Sequence, residues 1–463
     1  MQTSDLYTLF IRHPVVSTDS RNCPPDSIFF ALKGEKFDGN DFIEQALQNG
    51  AAYAVDDRAG LADDKRIIHV DNVLQSLQNL ANYHRNQLNT KVIAITGTNG
   101  KTTTKELIAA ALSTQYPVLY TQGNLNNHIG VPLTLLQIKP EHRFAVIEMG
   151  ANHPGEIYAL CRIADPDYGL ITNVGKAHLE GFGSFEGVVR TKTELYEYIR
   201  EKNGWIFVNI DNPILTEKSR GANVIYYGTS PKAFVQGRIV ESGAFLEMEY
   251  LTPGPSPSGE GGNPLNEDTE TFKVGGRIKT QLAGDYNFEN VLAAICVAAY
   301  IVETLRATSL LNQMRATSLR QINQAIAGYA PTNNRSQRLK TQRNHLIIDA
   351  YNANPSSMKV ALDNFLSLKV SPKMVIIGEM KELGKYSQEE HQKLVDRLRE
   401  SAIDKVILVG ERFLYVQSID PKWFVYMNTQ ELLDYLLIDN FSGFHILIKG
   451  SRSNQLERAV EFL

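Results

Sequence analysis

The sequence has few cysteines and no long apolar run. Its three cysteines, Cys23, Cys161 and Cys296, are widely spaced and form no Cys-x-x-Cys pair, so neither a disulfide framework nor a zinc site is expected. The longest apolar run, at 291–302, is far shorter than the roughly 20 residues of a membrane-spanning helix. The first residues, MQTSDLYTLFIRHP, also lack the basic and apolar regions of a signal peptide. We therefore expect a cytoplasmic protein without membrane insertion.

An excess of positive charge is also missing. The chain has 47 Lys and Arg against 51 Asp and Glu, a net charge of -4 at pH 7. Nucleic-acid coats and membrane-surface proteins carry basic patches, so we expect no nucleic-acid partner. With 463 residues, at roughly 150 residues per domain, the length predicts about three domains.

Strand and helix patterns alternate along the whole chain and predict an α/β fold with three domains. Residues 1–88 read as a small α/β unit, 89–328 as a central domain with a P-loop-type, mainly parallel sheet, and 329–463 as a doubly wound, Rossmann-like sheet. A Pro, Gly and Ser-rich tract at 252–270 is expected to be a disordered hairpin loop. A repeat of RATSL within 306–319 receives no function.

One loop lacks two residues of a phosphate-binding pattern. The P-loop has four residues between its first glycine and Gly-Lys-Ser/Thr, but only Thr98 and Asn99 separate Gly97 from Gly100. A strand ending here and a helix starting near Thr102 still aim backbone N–H groups at an anion. The sequence therefore favours a nucleotide-phosphate site over a glycine-rich turn with a surface lysine. Lys101 would neutralise phosphate charge and Thr102 would reach Mg²⁺.

Three further polar side chains lie at predicted strand ends or on a predicted helix. Glu148 and His178 come after consecutive strands, so both are candidate metal ligands near the loop. Each has a plainer alternative, a helix-start charge for Glu148 and a satisfied polar contact for His178. Lys192 lies on a predicted helix, and physical reasoning alone favours a solvated lysine paired with Glu194 or Glu197.

Taken together, these motifs resemble the Mur ligase family, and the resemblance runs essentially end to end. The strings that carry it occur in family order: STDSRNCPPDSIFFALKGEKFDGNDFIEQALQNGA, GTNGKTTTKE, GNLNNHIGVPLTLL, EMGANHPGEI, TNVGKAHLEGFGS, GDYNFENVLAA, DAYNANPSSM, GEMKELG and KGSR. GTNGKTTTKE resembles the family's own form of the phosphate loop, which accounts for the shorter spacing. The tract at 252–270 and the RATSL repeat depart from the family pattern.

The resemblance implies a role for individual residues. It places Lys101, Glu148, His178 and Lys192 in catalysis, with Lys192 carbamylated by CO₂ and metal held by Thr102, Glu148, His178 and Lys192. The implied ATP-binding residues are Gly97, Thr98, Asn99, Gly100, Lys101, Thr102, Thr103, Asn290, Arg335 and Asp349, with Arg338 as an alternative to Arg335. The implied substrate-binding residues are Asp19, Ser20, Arg21, Lys33, Asp38, Gly39, Asn124, Asn126 and Asn127.

The resemblance also implies a reaction. It implies an ATP- and Mg²⁺-dependent amide ligase, expected to be a monomer, that joins D-alanyl-D-alanine to UDP-MurNAc-tripeptide through an acyl phosphate. Residues 1–88 would bind the UDP-sugar, and 329–463 would close over ATP and the dipeptide. Alternatives are the third-residue ligase, a folylpolyglutamate synthetase, or a non-catalytic protein that binds muropeptide nucleotides. The string NANPSSM favours the D-alanyl-D-alanine ligase over these alternatives. The identity of the third peptide residue, meso-diaminopimelate or lysine, stays open.

Overall fold

The chain folds around three β-sheets, one in each predicted domain. The computed structural model describes residues 1–58, 64–242, 245–253, 273–304, 311–331 and 335–463. Within these ranges the sheets have four, nine and six strands. The predicted α/β class with mainly parallel sheets is confirmed.

The N-terminal sheet is entirely parallel, with its four strands in chain order. Asp38 accepts a hydrogen bond from the N–H of Asn40 and starts a short 3-10 helix, Gly39–Phe42. The elements are α1 (Thr3–Arg12), β1 (Val16–Ser17), β2 (Ser27–Phe30), α2 (Ile43–Gln48), β3 (Ala51–Asp56), β4 (Ile67–His69) and α3 (Val73–Asn86).

The central sheet is parallel over most of its width and ends in an antiparallel hairpin. The elements up to the sixth strand of this sheet are β5 (Lys91–Thr96), α4 (Lys101–Ser113), β6 (Val118–Tyr120), α5 (Gly130–Leu135), β7 (Phe144–Glu148), α6 (Glu156–Ala164), β8 (Tyr168–Ile171), α7 (Leu179–Phe182), α8 (Phe185–Glu201), β9 (Trp205–Asn209), α9 (Pro213–Lys218) and β10 (Asn223–Gly228). They are followed by β11 (Val235–Ser242), β12 (Leu246–Pro253), β13 (Lys273–Lys279), α10 (Asn287–Thr304) and α11 (Leu311–Gly328). The strand order is β13-β12-β11-β10-β9-β8-β5-β7-β6.

The third sheet is parallel except for its first strand, which pairs antiparallel with the second. Its elements are β14 (Gln337–Lys340), β15 (His345–Asp349), α12 (Pro355–Ser367), β16 (Lys373–Gly378), α13 (Ser387–Arg399), β17 (Lys405–Val409), β18 (Phe424–Tyr426), α14 (Thr429–Ile438) and β19 (His445–Lys449). The strand order is β14-β15-β19-β16-β17-β18. Short 3-10 helices occur at Gly384–Tyr386, Glu411–Tyr415, Arg452–Asn454 and Leu456–Phe462.

The N-terminal unit and the central domain share one hydrophobic core. Leu77 and Leu80 of α3 belong to the same buried cluster as Ala145 and Ile147 of β7. The buried guanidinium of Arg85 adds an ion pair of 2.8 Å to Asp167. The other face of the central sheet packs against α4, α10 and α11 in a second cluster, and the third domain has clusters of its own.

Helix α10 is, in the described part of the chain, the one helix long and apolar enough to cross a membrane. Most of it, 83%, is buried inside the protein. It packs against α4, α11 and strands β9 to β12, so its apolar residues belong to the core of the central domain.

The predicted hairpin around the Pro, Gly and Ser-rich tract is present. Strands β12 and β13 pair antiparallel, and the register ends at Pro253 and Lys273. The tract was predicted at 252–270, and its first two residues, Thr252 and Pro253, end β12. The rest of it lies outside the described residues. The first RATSL copy, at 306–310, also lies outside the described residues, while the second, at 315–319, lies in α11.

Candidate active site

The phosphate loop, Gly97–Gly100, connects β5 to α4 at the carboxyl end of the central sheet. Gly97 and Gly100 have φ angles of 139° and 79°, a backbone conformation that favours glycine. The N–H groups in the first turn of α4 lack partners within the helix, which makes this end a natural anion site. Nζ of Lys101 donates to the carbonyl oxygens of Gly97 (2.8 Å) and Thr98 (3.2 Å). Burial lowers the pKa of Lys101, and the nearby Glu148 carboxylate opposes this.

The segment after β8 holds the phosphate loop in shape. The N–H of Thr98 donates to the carbonyl oxygen of Asn173 (2.9 Å), and that of Asn99 donates to the Asn173 side chain (3.0 Å). The hydroxyl of Thr172 donates to the carbonyl oxygen of Asn99 (2.6 Å). Since β5 and β8 are neighbouring strands, these bonds fix the backbone of the loop from within the central domain.

Glu148 ends β7 and is buried beneath the phosphate loop. It accepts hydrogen bonds from the Thr102 hydroxyl (2.8 Å) and the Asn126 amide (2.9 Å). Nζ of Lys105, itself buried, lies 3.8 Å from the same carboxylate. Burial by itself would raise the pKa of Glu148, but Lys101, Lys105 and other positive charge hold it below its ordinary value. Lys105 was not predicted from the sequence. The signal was present, because Lys105 follows Lys101 by four residues, and residues at this spacing lie on the same face of a helix.

His178 lines the cavity, but its Nδ1 atom meets the third domain. Nδ1 is buried and in ion-pair contact with the carboxylate of Glu382. The contact is one of proximity, because Nδ1 has no partner with hydrogen-bond geometry in the described part of the chain. This contact lowers the pKa of the Glu382 carboxyl. The structure thus brings a residue of GEMKELG to His178, a neighbour that the sequence did not predict.

Lys192 is buried in the cavity wall, so its interpretation as a solvated lysine is wrong. Its exposed fraction is 3%, its Nζ lies 3.4 Å from the carbonyl oxygen of Ala151, and the Phe182 ring centroid is 5.4 Å away. Burial, together with the positive charge of Lys101, lowers its pKa to about 7. Glu194, its expected partner, instead accepts hydrogen bonds from backbone N–H groups at the start of α6.

Asn290 of α10 closes the cavity on the side of α4. Its side-chain oxygen accepts a hydrogen bond from the Thr104 hydroxyl (3.1 Å), and its amide donates to Asn287 (3.0 Å). A Cβ atom at Gly100 would lie 2.3 Å from the Asn290 oxygen, so the two elements touch at this point.

The third domain contributes cations and one acid. The guanidinium of Arg335 stacks 3.8 Å from the centroid of the Tyr351 ring and lines the cavity, whereas Arg338 lies over Phe245. Asp349, at the end of β15, accepts a hydrogen bond from the buried Lys449 (2.8 Å). Of the two arginines, Arg335 is therefore the one that lines the cavity.

These side chains surround one cavity of about 980 Å³ between the central and third domains, the size of a small-molecule site. Thr102 is buried behind the lining, where it holds Glu148. The other residues predicted for nucleotide, metal and peptide binding in these two domains line the cavity: Gly97, Thr98, Asn99, Gly100, Lys101, Thr103, Asn124, Asn126, Asn127, Glu148, His178, Lys192, Asn290, Arg335 and Asp349.

The six residues predicted for the UDP-sugar, all within the described part of the chain, do not line this cavity. Asp19 pairs with Arg21 (2.8 Å), and Ser20 donates to Gln45 (2.8 Å). Lys33 pairs with Asp57 (2.8 Å). Asp38 and Gly39 form the start of the adjacent 3-10 helix.

The oxygen ligands present at the loop fit Mg²⁺. Thr102 and Glu148 supply a hydroxyl and a carboxylate, which are hard oxygen donors, and nucleotide phosphates and water would complete the shell. In the described residues no three His, Cys, Asp or Glu side chains are grouped closely enough to hold a metal by themselves.

Comparison with known proteins agrees with this geometry. Three family models match, described as Mur ligase family, catalytic domain (14–85), Mur ligase middle domain (95–298) and Mur ligase, glutamate ligase domain (334–452). The chain is 34% identical to the UDP-N-acetylmuramoyl-tripeptide–D-alanyl-D-alanine ligase of Bacillus subtilis, over 97% of this chain and 92% of that one.

Two solved structures are similar over nearly the whole chain. Crystal structure I of MurF from Acinetobacter baumannii has a TM-score of 0.80 and 30% identity, and covers 96% of this chain and 92% of its own. MurF ligase from Thermotoga maritima in complex with ADP has a TM-score of 0.78 and 26% identity, with 97% and 96% coverage. On the sequence matches and these shared folds, the chain belongs to the Mur ligase family.

Proposed function

We propose that the protein is an ATP-dependent ligase that joins D-alanyl-D-alanine to UDP-MurNAc-tripeptide and releases ADP and phosphate. This is a cytoplasmic step of peptidoglycan precursor synthesis. The relative from Bacillus subtilis carries the name of this activity, and the Thermotoga maritima neighbour binds ADP. The observation that carries the proposal is the single cavity in which the phosphate loop faces Arg335 and Asp349 of another domain.

The phosphate loop binds the triphosphate of ATP. Lys101 at present donates to two loop carbonyl oxygens, and it would exchange these for the β- and γ-phosphates. A peptide carboxylate and a triphosphate repel each other, so attack on the γ-phosphate needs positive charge on both sides of it. Lys101 supplies this charge from the central domain and Arg335 supplies it from the third.

Asn290 and Asp349 bind the rest of the nucleotide. The amide of Asn290 lies beside the loop and would contact adenine, and Asp349 would accept a hydrogen bond from ribose. Mg²⁺, when bound at Thr102 and Glu148, neutralises phosphate charge. These two residues already contact each other at 2.8 Å, so little rearrangement precedes binding.

The acyl phosphate formed in the first step must be kept from water until the dipeptide amine attacks it. The third domain covers the phosphate loop in this arrangement, since the amide of Asn354 donates to Asn99 (3.0 Å). A closed cavity excludes water and also strengthens every charge interaction inside it. The asparagine-rich turn at Asn124, Asn126 and Asn127 lines the same cavity and would hold the peptide ends.

Lys192 is the proposed site of carbamylation. With a pKa of about 7, much of its amine is neutral at physiological pH, and a neutral amine attacks CO₂ to give a carbamate and one proton. The carbamate is an anion with two oxygens, and it would replace a buried cation with an oxygen ligand for metal. The UDP-sugar is assigned to the N-terminal unit, around Asp19, Ser20, Arg21, Lys33, Asp38 and Gly39.

The proposal is tested by measuring ADP release with UDP-MurNAc-tripeptide in the presence and absence of D-alanyl-D-alanine. We expect rapid, continuous ADP release only when ATP and both other substrates are present, because the acyl phosphate turns over through the dipeptide amine. L-alanyl-L-alanine is the control acceptor, with the same composition and the wrong stereochemistry.

Three other results would contradict the proposal. Phosphate release from ATP alone indicates a simple ATPase. Turnover with UDP-MurNAc-dipeptide and a single amino acid indicates the third-residue ligase. Binding of the muropeptide nucleotide without any ADP release indicates a non-catalytic binding protein.

A further inference from the structure

The imidazole of His178 is shared between two domains. Its ring lines the cavity, while Nδ1 is buried against the carboxylate of Glu382 in the loop after β16. An imidazole has two nitrogens. Because Nδ1 is occupied by the third domain, Nε2 is the nitrogen left for chemistry in the cavity.

The backbone at both residues is held in an uncommon conformation. His178 has a φ of 49° and Glu382 has a φ of 61°, in the left-handed region that non-glycine residues adopt at a cost of about 1–2 kcal/mol each. The loops are also joined through the N–H of Glu180, which donates to the carbonyl oxygen of Glu382 (3.4 Å). Such strain persists only where surrounding contacts fix it, and it concentrates at functional sites.

The carboxylate decides which ring nitrogen carries the proton. A neutral imidazole has one N–H and one lone pair, and a carboxylate beside Nδ1 favours the proton on that atom. The lone pair then lies on Nε2, where it serves as a metal ligand or a proton acceptor. Carboxylates that orient a functional histidine in this way are common around metal sites.

We propose that Glu382 is a positioning residue for the ligase reaction, which fixes His178 with its proton on Nδ1 when the third domain docks. The site is then complete only in the docked arrangement, because the group that sets the imidazole belongs to the other domain. This inference rests on the proposed function, and it adds a residue of the third domain that acts through His178.

The same interface provides a matched control. Lys176, two residues before His178, pairs with Glu390 of α13 (3.3 Å). The backbone N–H of Lys176 donates to the hydroxyl of Ser356 (2.9 Å). Neither Lys176 nor Glu390 lines the cavity. Glu390→Gln therefore removes an ion pair between the same two domains without touching His178.

The experiment compares the parent protein with Glu382→Gln and Glu390→Gln as full-length chains. Histidine tautomers are read by ¹H–¹⁵N NMR without nucleotide or metal, and a His178→Asn variant assigns the signal. We expect the Nδ1-protonated form in the parent and in Glu390→Gln, and a shift toward the Nε2-protonated form in Glu382→Gln. kcat should fall about tenfold in Glu382→Gln, the lower end of losses for such orienting groups, and less than about twofold in Glu390→Gln.

An unchanged tautomer in Glu382→Gln, or equal losses of kcat in the two variants, would overturn the inference and leave Glu382 as an ordinary interface contact. A tautomer shift with normal kcat would overturn it as well. Thermal melts of the variants report whether each is folded. The proposed function is tested separately from this inference. It would be wrong if the parent protein showed no ADP release that depends on both UDP-MurNAc-tripeptide and D-alanyl-D-alanine.

Discussion

Two loops follow neighbouring strands of the central sheet, and they are held in different ways. The phosphate loop follows β5, and the segment 173–184, here named the histidine loop, follows β8. Each contains a glycine with positive φ, and each leads to a helix whose lysine lines the cavity, the half-buried Lys101 on α4 and the buried Lys192 on α8. The backbone of the phosphate loop is bonded within the central domain, whereas the histidine loop rests on the third domain through His178 and Lys176.

The phosphate loop therefore has its shape before the domains dock, whereas the histidine loop is completed by docking. Since the partners of its backbone belong to its own domain, we expect the backbone of the phosphate loop to keep its shape wherever the third domain is. Only the side chain of Asn99 also accepts a hydrogen bond from Asn354 of the third domain. The histidine loop depends on interdomain ion pairs, so its side chains reach their final arrangement only on docking. The two loops should therefore respond differently to substitution, to pH and to salt.

The largest expected effect comes from Lys192, on the helix that the histidine loop leads into. Replacing it with alanine removes the amine that would carry the carbamate, and we expect kcat to fall by about 10³-fold, the upper range for losing one charge-stabilising group. Lys202→Ala is the control, because Lys202 follows the same helix and pairs with Asp165 at the surface. Steady-state ADP release measures both. Near-normal turnover of Lys192→Ala would remove this lysine from the mechanism.

Lys192 should also make stability depend on pH. Its pKa in the folded protein is about 7, against 10.5 for an unperturbed lysine, so the unfolded chain binds more protons between these values. Burial of the amine therefore costs stability fully below about pH 7, and the cost fades as pH rises toward 10.5. We expect Lys192→Met to raise the Tm most near pH 7 and progressively less at higher pH, as measured by thermal melts. A Tm difference that does not change with pH would contradict the buried, perturbed amine.

An effect of intermediate size is expected from replacing one glycine in each loop with alanine, which compares the two loops directly. Gly100 and Gly183 have φ angles of 79° and 76°, so alanine costs about 1–2 kcal/mol of strain at either position. A Cβ atom at Gly100 would also lie 2.3 Å from the Asn290 side chain, while one at Gly183 would have nothing within 4 Å. We expect Gly100→Ala to raise the KM for ATP at least about tenfold, equivalent to ~1.4 kcal/mol, and Gly183→Ala to leave it within about twofold. Equal effects on the KM for ATP would show that the two loops are not distinct.

The smallest effect should be that of ionic strength on the radius of gyration. Screening shortens the Debye length from about 10 Å at 0.1 M to ~3 Å at 1 M, which weakens the exposed Lys176 end of its pair with Glu390. We expect the radius of gyration of the nucleotide-free protein to rise slightly with ionic strength in X-ray scattering. With ATP and UDP-MurNAc-tripeptide bound, the same titration should show no expansion. Expansion of both forms would indicate that ligands do not hold the third domain.

The sheet scaffold could be predicted from the sequence because it depends on local pattern. Buried runs such as KVIAIT and FAVIE, followed by glycine or acidic residues, mark parallel strands and their ligand-binding ends. The shape of the phosphate loop also follows from two glycines at fixed spacing. These signals need no knowledge of distant residues.

Other features of the site depend on contacts far apart in the chain. The helical pattern around Lys192 predicts an exposed pair with Glu194, yet Glu194 binds the start of α6 and leaves the lysine buried. Likewise, no local pattern connects His178 to Glu382, over 200 residues away. The two residues meet only because the third sheet is placed against the central one.

The core that α3 shares with β7 has a consequence for folding. Buried residues of the N-terminal unit and of the central domain form one continuous apolar cluster, while the third domain has its own. On heating, the first two should therefore lose structure together as one cooperative unit, and the third should melt as a separate transition. The N-terminal unit and the central domain, two domains by sequence, should therefore unfold as one unit. Their shared core also holds the N-terminal sheet and the phosphate loop at a constant separation.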